Sequence, residues 1–390
     1  MSRRRKVLVA VVTALALLAG GAYAATALLA VPPPHQLARL LATAPSEQGR
    51  LFPSRTVEAS ASPRALPAST EQMPETVPWK GEDVTVRTFL DTTHTRGFVV
   101  LRHGRVVEEW YADDAGERTR FSSWSVAKSV VSLLVGQAIA AGDLAEDDRL
   151  VDLVPALRTG GAYDAITVRD LLDMASGVDV AENYREYWPF TGTARLFLST
   201  DLPGFLEDHR ELRFTPGSQG EYRSVDTLLL GMILRTVEKE PLTTLLTERL
   251  WQPMGAESSA TWNLDREGGV EKAFCCLNAT ARDFARMGQL VLDGGVVEGR
   301  QVVPAAWIDR ISTPAPHPVS DWGYSAQWWH PEGADDDFTA IGVYGQYVFV
   351  DPDADTVVVK LSDHGTEQDE LETVGALRSI AAQLAAADER

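Results

Sequence analysis

The sequence predicts an α+β fold: an antiparallel sheet flanked by helices and closed by N- and C-terminal pieces of chain, with an all-helical subdomain inserted between them. Three observations predict it. Two β-rich runs, 98–101 and 106–111, flank the turn signal His103-Gly104. The middle of the chain repeats a helical period, and two further β-rich runs, 343–350 and 356–361, precede a last amphipathic helix over about 368–387.

Taken in order, Arg3, Arg4, Arg5 and Lys6 precede an uncharged run from Val7 to Val31, long enough to span a bilayer. It reads as a single-pass anchor with the rest of the chain outside the cytoplasm, or as a cleaved signal of a secreted protein. Ala22-Tyr23-Ala24 fits a cleavage site, whereas the apolar run continues past it to Val31, which favours the anchor. Residues 32–80 hold nine of the 21 prolines with no sustained period, and read as a linker that wraps or spaces the domain. The domain itself is expected over 81–390, and His103 is expected to be a turn residue.

The helix over 125–141 carries Val126, Val130, Leu133, Leu134 and Ile139 on its apolar face, with Ser122 or Ser123 as its cap and Gly142 as its stop. Helical patterns recur over 167–174, 225–237 and 281–292, the last opened by Thr280 with Asp283 three residues on. The C-terminal strands flank the turn Asp351-Pro352-Asp353-Ala354-Asp355.

With 45% hydrophobic and 23% charged residues, a chain of 390 residues folds around a core. A net charge of −19 argues against nucleic acid as a partner. The two cysteines, Cys275 and Cys276, are adjacent, and the geometry a disulfide requires favours two small core residues.

The sequence contains no GxSxG elbow, HExxH, P-loop or GxGxxG. It does contain Ser125-Val126-Ala127-Lys128 at the start of an apolar helix. With six lysines in the chain, a chance Ser-x-x-Lys is expected about a third of a time, so the tetrapeptide alone is weak. Its position is stronger. At i and i+3 the two side chains share one helix face, where a buried neutral amine can take the serine's proton. The helix N-terminus favours the negative charge that develops on an attacked carbonyl. The bland alternative is a capping serine and a solvated lysine. Tyr222, in the loop before the 225–237 helix, is either a proton shuttle or a loop aromatic covering the helix end.

From about residue 80 to 385 the chain resembles the penicillin-recognising serine hydrolases, and among them the class C β-lactamase-like branch that contains 6-aminohexanoate-dimer hydrolase and related esterases. The resemblance rests on Ser125-x-x-Lys128, Tyr222-Arg223-Ser224, the run from Leu171 to Gly177 and the run from Thr280 to Gly288. It implies a β-lactamase/transpeptidase-like fold and an acyl-enzyme on Ser125, with Lys128 as the activating amine and Tyr222 as the shuttle to the leaving group. By alignment, the backbone N–H groups of Ser125 and Ile341 form the oxyanion hole. Tyr184 and Ser224 are implied as substrate contacts, Trp328 and Trp329 as cleft linings, and Glu182 as a further candidate. The substrate is a small ester or amide; no metal or other cofactor is implied.

The family's third motif, Lys-Thr-Gly or His-x-Gly, has no lysine or histidine here: the segment reads Phe338-Thr339-Ala340-Ile341-Gly342-Val343-Tyr344-Gly345. This departure points away from β-lactams, unless a cation such as Arg223 compensates. A cell-wall D-peptidase, a β-lactamase and a slowly acylating penicillin-binding sensor remain as alternatives.

Overall fold

Seven antiparallel strands form the central sheet. Their order is Gly323–Ser325, Trp328–His330, Phe338–Gly342, Gln346–Asp351, Thr356–Ser362, Thr95–Arg102 and Arg105–Tyr111. The first five follow one another in sequence, and the N-terminal hairpin then closes the sheet against Thr356–Ser362, with Val358 opposite Val100. The computed structural model describes residues 3–183, 191–333, 336–365 and 369–388. The α+β architecture closed by the two ends of the chain is therefore the one its periodicities predict.

The sheet is apolar on both faces because successive side chains point to opposite sides. Phe98 and Val100 face Val374, Leu377 and Ile380 of the C-terminal helix Glu370–Asp388. Val99 and Leu101 face Phe284, Met287 and Leu290 of the helix Ala281–Leu292. That helix is capped by the Thr280 side chain, which accepts from the Asp283 backbone N–H. His103 lies in the hairpin turn at φ 51°.

A four-stranded sheet, Ser54–Val57, Ala260–Asn263, Leu277–Ala279 and Phe121–Ser122, was not anticipated. Its strands are two to four residues long, too short for a period-2 pattern to register. It holds the segment leading into Ser125, because Ser122 pairs with Asn278 and the Ser123 N–H donates to the Leu277 carbonyl. Through Ser54–Val57, with Val57 fully buried, the Pro-rich stretch wraps the body.

Two local expectations are corrected. Neither Ser122 nor Ser123 caps the helix Val126–Ala141: Ser125 occupies the cap position and makes no capping hydrogen bond, which leaves its hydroxyl available for other partners. Cys275 and Cys276 are buried core residues, as expected, yet they form a disulfide. A positive φ of 69° at Cys276 turns the backbone there, a conformation that the argument from disulfide geometry left out of account.

The helix Arg3–Leu28 is apolar and, apart from Thr26, unburied, and its uncharged part from Val7 is about 33 Å long at the rise of an α-helix. It is long and apolar enough to cross a membrane.

Candidate active site

Ser125 stands where the small sheet hands over to the helix Val126–Ala141. Trp124, at φ 46°, makes the turn. The helix winds Lys128 back onto the same face, and its Nζ lies 2.8 Å from Ser125 Oγ. Lys128 is 1% exposed, and burial lowers its amine to about 8. An ordinary lysine with a pKa of 10.5 would be neutral in only about one molecule in 300 at pH 8, whereas this one is neutral in about half.

Lys128 has two further partners. Its Nζ donates to the Phe274 carbonyl at 2.9 Å and lies 3.0 Å from Ser224 Oγ. Ser224 in turn donates its hydroxyl to Glu182 Oε1 at 2.7 Å, while its backbone N–H donates to Glu182 Oε2 at 2.9 Å. Thr193 also donates to Glu182. Ser224 thus supports the lysine, and it also lines a small cavity beside Ser125.

Tyr222 is half-buried. Its ring lies 4.9 Å from Lys128 Nζ and packs on Trp329 at 5.2 Å. Burial pushes its hydroxyl well above the usual tyrosine range, and a hydrogen bond with Ser125 works against that rise. Ile341 is near the end of Phe338–Gly342, a strand whose pairing to Trp328–His330 is confined to Trp329 opposite Thr339. Beside it, a Cβ on Gly342 would sit 2.5 Å from the Ser123 carbonyl oxygen. Glycine at that position lets the strand edge close on the serine turn.

A cavity of about 380 Å³ opens at Ser125, lined by Glu182, Glu221, Tyr222, Trp329, Ile341 and Glu370 among others. Trp328, expected beside Trp329, is wholly buried in the core instead, because neighbours on a strand face opposite ways. Arg223 brings no cation to the cavity either. It is 0% exposed, its Nη1 donates to the Val180 carbonyl, and its Nη2 lies 2.9 Å from Glu221. Tyr184 lies outside the described residues.

Ser125, Lys128, Tyr222, Ser224 and Ile341 are thus brought together from three separate parts of the sequence. The arrangement can abstract a proton from a serine hydroxyl and hold it beside an attacked carbonyl. The sequence profile of the beta-lactamase family matches residues 83–382. The chain belongs to the beta-lactamase family. It is a serine hydrolase of that family, with its β-lactamase/transpeptidase-like fold. The chain is 31% identical over 290 residues to 6-aminohexanoate-dimer hydrolase from Paenarthrobacter ureafaciens, covering 70% of this chain and 74% of that one. It is 30% identical over 181 residues to esterase EstB from Burkholderia gladioli, covering 40% and 44%. A solved Bacillus anthracis structure named after 6-aminohexanoate-dimer hydrolase superposes with a TM-score of 0.76 at 23% identity, over 87% of this chain and 93% of that one.

Sequence reasoning did not commit to Glu182 and missed the Phe274 carbonyl and Gly342. A glycine after Ile341 was the one local signal, since a strand interior tolerates glycine poorly unless something approaches closely.

Proposed function

We propose that this protein cleaves an ester or amide bond by way of an acyl-enzyme on Ser125, outside the cytoplasm. Ser125 Oγ attacks the carbonyl while the neutral Lys128 amine takes its proton. Tyr222 passes a proton to the leaving group and later takes one from the attacking water. The backbone N–H groups of Ser125 and Ile341 receive the developing oxyanion. The observation that carries this reading is the 2.8 Å approach of a buried amine, lowered to about 8, to the hydroxyl of a serine that stands at the helix N-terminus without capping it.

The two named relatives, a hydrolase of an amide-linked dimer and an esterase, support both bond types. The apolar helix behind a basic flank supports single-pass anchorage in the cytoplasmic membrane.

The test is labelling of the purified protein with a fluorophosphonate, followed by peptide mass spectrometry. The adduct is expected on Ser125, and Ser125→Ala should lose both labelling and turnover. Label on another serine, with activity surviving in Ser125→Ala, rejects the assignment.

A further inference from the structure

Two cavities meet at Ser125, and they differ in size and chemistry. The larger, of about 380 Å³, carries the carboxylates of Glu182, Glu221 and Glu370 together with Tyr222. The smaller, of about 40 Å³, is walled chiefly by Trp124, Phe197, Phe274, Cys275, Val343 and Tyr344. Its rings brace one another: Trp124 lies 5.3 Å from Phe197 and 4.9 Å from Tyr344, centroid to centroid. Cys275 is held by its disulfide to Cys276. Packed walls of this kind do not yield cheaply to an oversized group.

Building on the proposed roles of Ser125 and Tyr222, we propose that the small cavity is the acyl pocket. It restricts the acyl group to a short apolar chain, while the leaving group occupies the larger cavity. Tyr222 must reach the departing oxygen or nitrogen to protonate it, and Tyr222 lines the large cavity and not the small one. The leaving group therefore departs on that side, and the half that stays on Ser125 must point to the other. The small cavity offers about a tenth of the space of the large one, 40 Å³ against 380 Å³, so a long chain is accommodated on the leaving-group side. Apolar walls also make a charged chain end costly there.

In the step itself, the bond from Ser125 Oγ to the carbonyl carbon forms, and the bond from that carbon to the leaving oxygen or nitrogen breaks. The serine proton ends on the leaving group. A water oxygen then bonds to the acyl carbon, the bond from that carbon to Ser125 Oγ breaks, a water proton returns to Oγ and the carboxylic acid leaves.

Hexyl acetate and ethyl hexanoate are isomers that place the long chain on opposite sides of the ester. With the purified protein, kcat/KM for hexyl acetate is expected to exceed that for ethyl hexanoate by at least about tenfold, the discrimination a misfit of a few methylenes brings. Equal or inverted values, or turnover of neither isomer, overturn the assignment. Phe197→Ala enlarges the pocket away from the reacting atoms. It should raise kcat/KM for ethyl hexanoate by at least about tenfold and leave hexyl acetate within about threefold. If that variant does not fold, the isomer ratio of the unaltered protein decides alone. Fluorophosphonate labelling of the same samples separates the two readings. A labelled Ser125 with an inverted ratio defeats the pocket assignment only, whereas an unlabelled Ser125 defeats the mechanism beneath it.

Discussion

The hydrogen bond between Lys128 Nζ and Ser224 Oγ, 3.0 Å long, can run in only one direction. The Ser224 hydroxyl hydrogen is already given to Glu182 Oε1, so its oxygen must accept from the lysine. A neutral amine has two hydrogens. One goes to Ser224 and the other to the Phe274 carbonyl, and the lone pair is left toward Ser125 at 2.8 Å. Glu182, three hydrogen bonds away from the reacting serine, thereby orients the amine as a base.

Glu182→Gln tests that orientation. Either rotamer of the amide sets a donor against the Ser224 hydroxyl or its backbone N–H, a mismatch that costs about 1–3 kcal/mol. We expect kcat to fall about tenfold to a hundredfold. The carboxylate also raises the Lys128 pKa, so its removal should move the acid limb of the kcat/KM profile to lower pH. An unchanged limb together with an unchanged kcat would leave Glu182 a bystander.

In the unaltered protein the acid limb should lie near pH 8, with activity rising as pH rises through it, because the working form of Lys128 is the neutral one. Lys128→Ala and Tyr222→Phe should each lower kcat by a factor of about 100 or more. Groups that act as one proton relay fail together, so the double variant should be little worse than the poorer single one. Fully multiplicative losses would show that the two side chains act in separate steps.

What the sequence made legible were the local parts. Ser125 and Lys128 are one helical turn apart, so spacing alone put them on one face, and β-rich runs disclosed the hairpin and the C-terminal strands. The lysine's other partners were invisible for the same reason. Ser224 and Phe274 are 96 and 146 residues away, and Glu182 is 42 residues from Ser224, separations at which no periodic pattern survives. Cys275 and Cys276 show the limit of a local steric argument, because it took for granted a backbone conformation that Cys276 does not adopt.

The disulfide adjoins the Phe274 carbonyl that holds Lys128, and this sets its expected effect. Closing so short a loop stabilises a chain by about 1 kcal/mol, and in a protein of this size its loss moves Tm by no more than about 2 °C. Reduction with a phosphine should nevertheless lower kcat about threefold or more, by freeing the turn that presents that carbonyl. Thiol titration confirms the reduction. An unaltered kcat in the fully reduced protein would remove the disulfide from the account of the site.

For the N-terminal segment, cell fractionation should find the intact chain in the membrane pellet, released by detergent and not by high salt. Protease added to the periplasmic or extracellular side should reach the catalytic domain. A wholly soluble chain whose N-terminus maps near Ala25 would show instead that the apolar segment is a cleaved signal.

The substrate's charge is the last point, and the cavity sharpens it. A β-lactam or a C-terminal peptide carries a carboxylate, and here it would enter a space lined by Glu182, Glu221 and Glu370. The strand Phe338–Gly342 offers no cation to meet it. Arg223, the cation expected to compensate, is wholly buried and faces the Val180 carbonyl and Glu221. An anion brought into that surrounding without a partner loses hydration and gains repulsion, which together cost several kcal/mol. Neutral esters with short acyl groups escape the penalty. We therefore expect their kcat/KM to exceed that of a chromogenic cephalosporin by at least about a hundredfold, or roughly 2.7 kcal/mol in transition-state binding. Added salt should narrow the gap only slightly, because charges inside a cavity are poorly screened. Cephalosporin turnover equal to ester turnover would require a cation at the cavity that the described residues do not supply, and would return β-lactams to the substrate list.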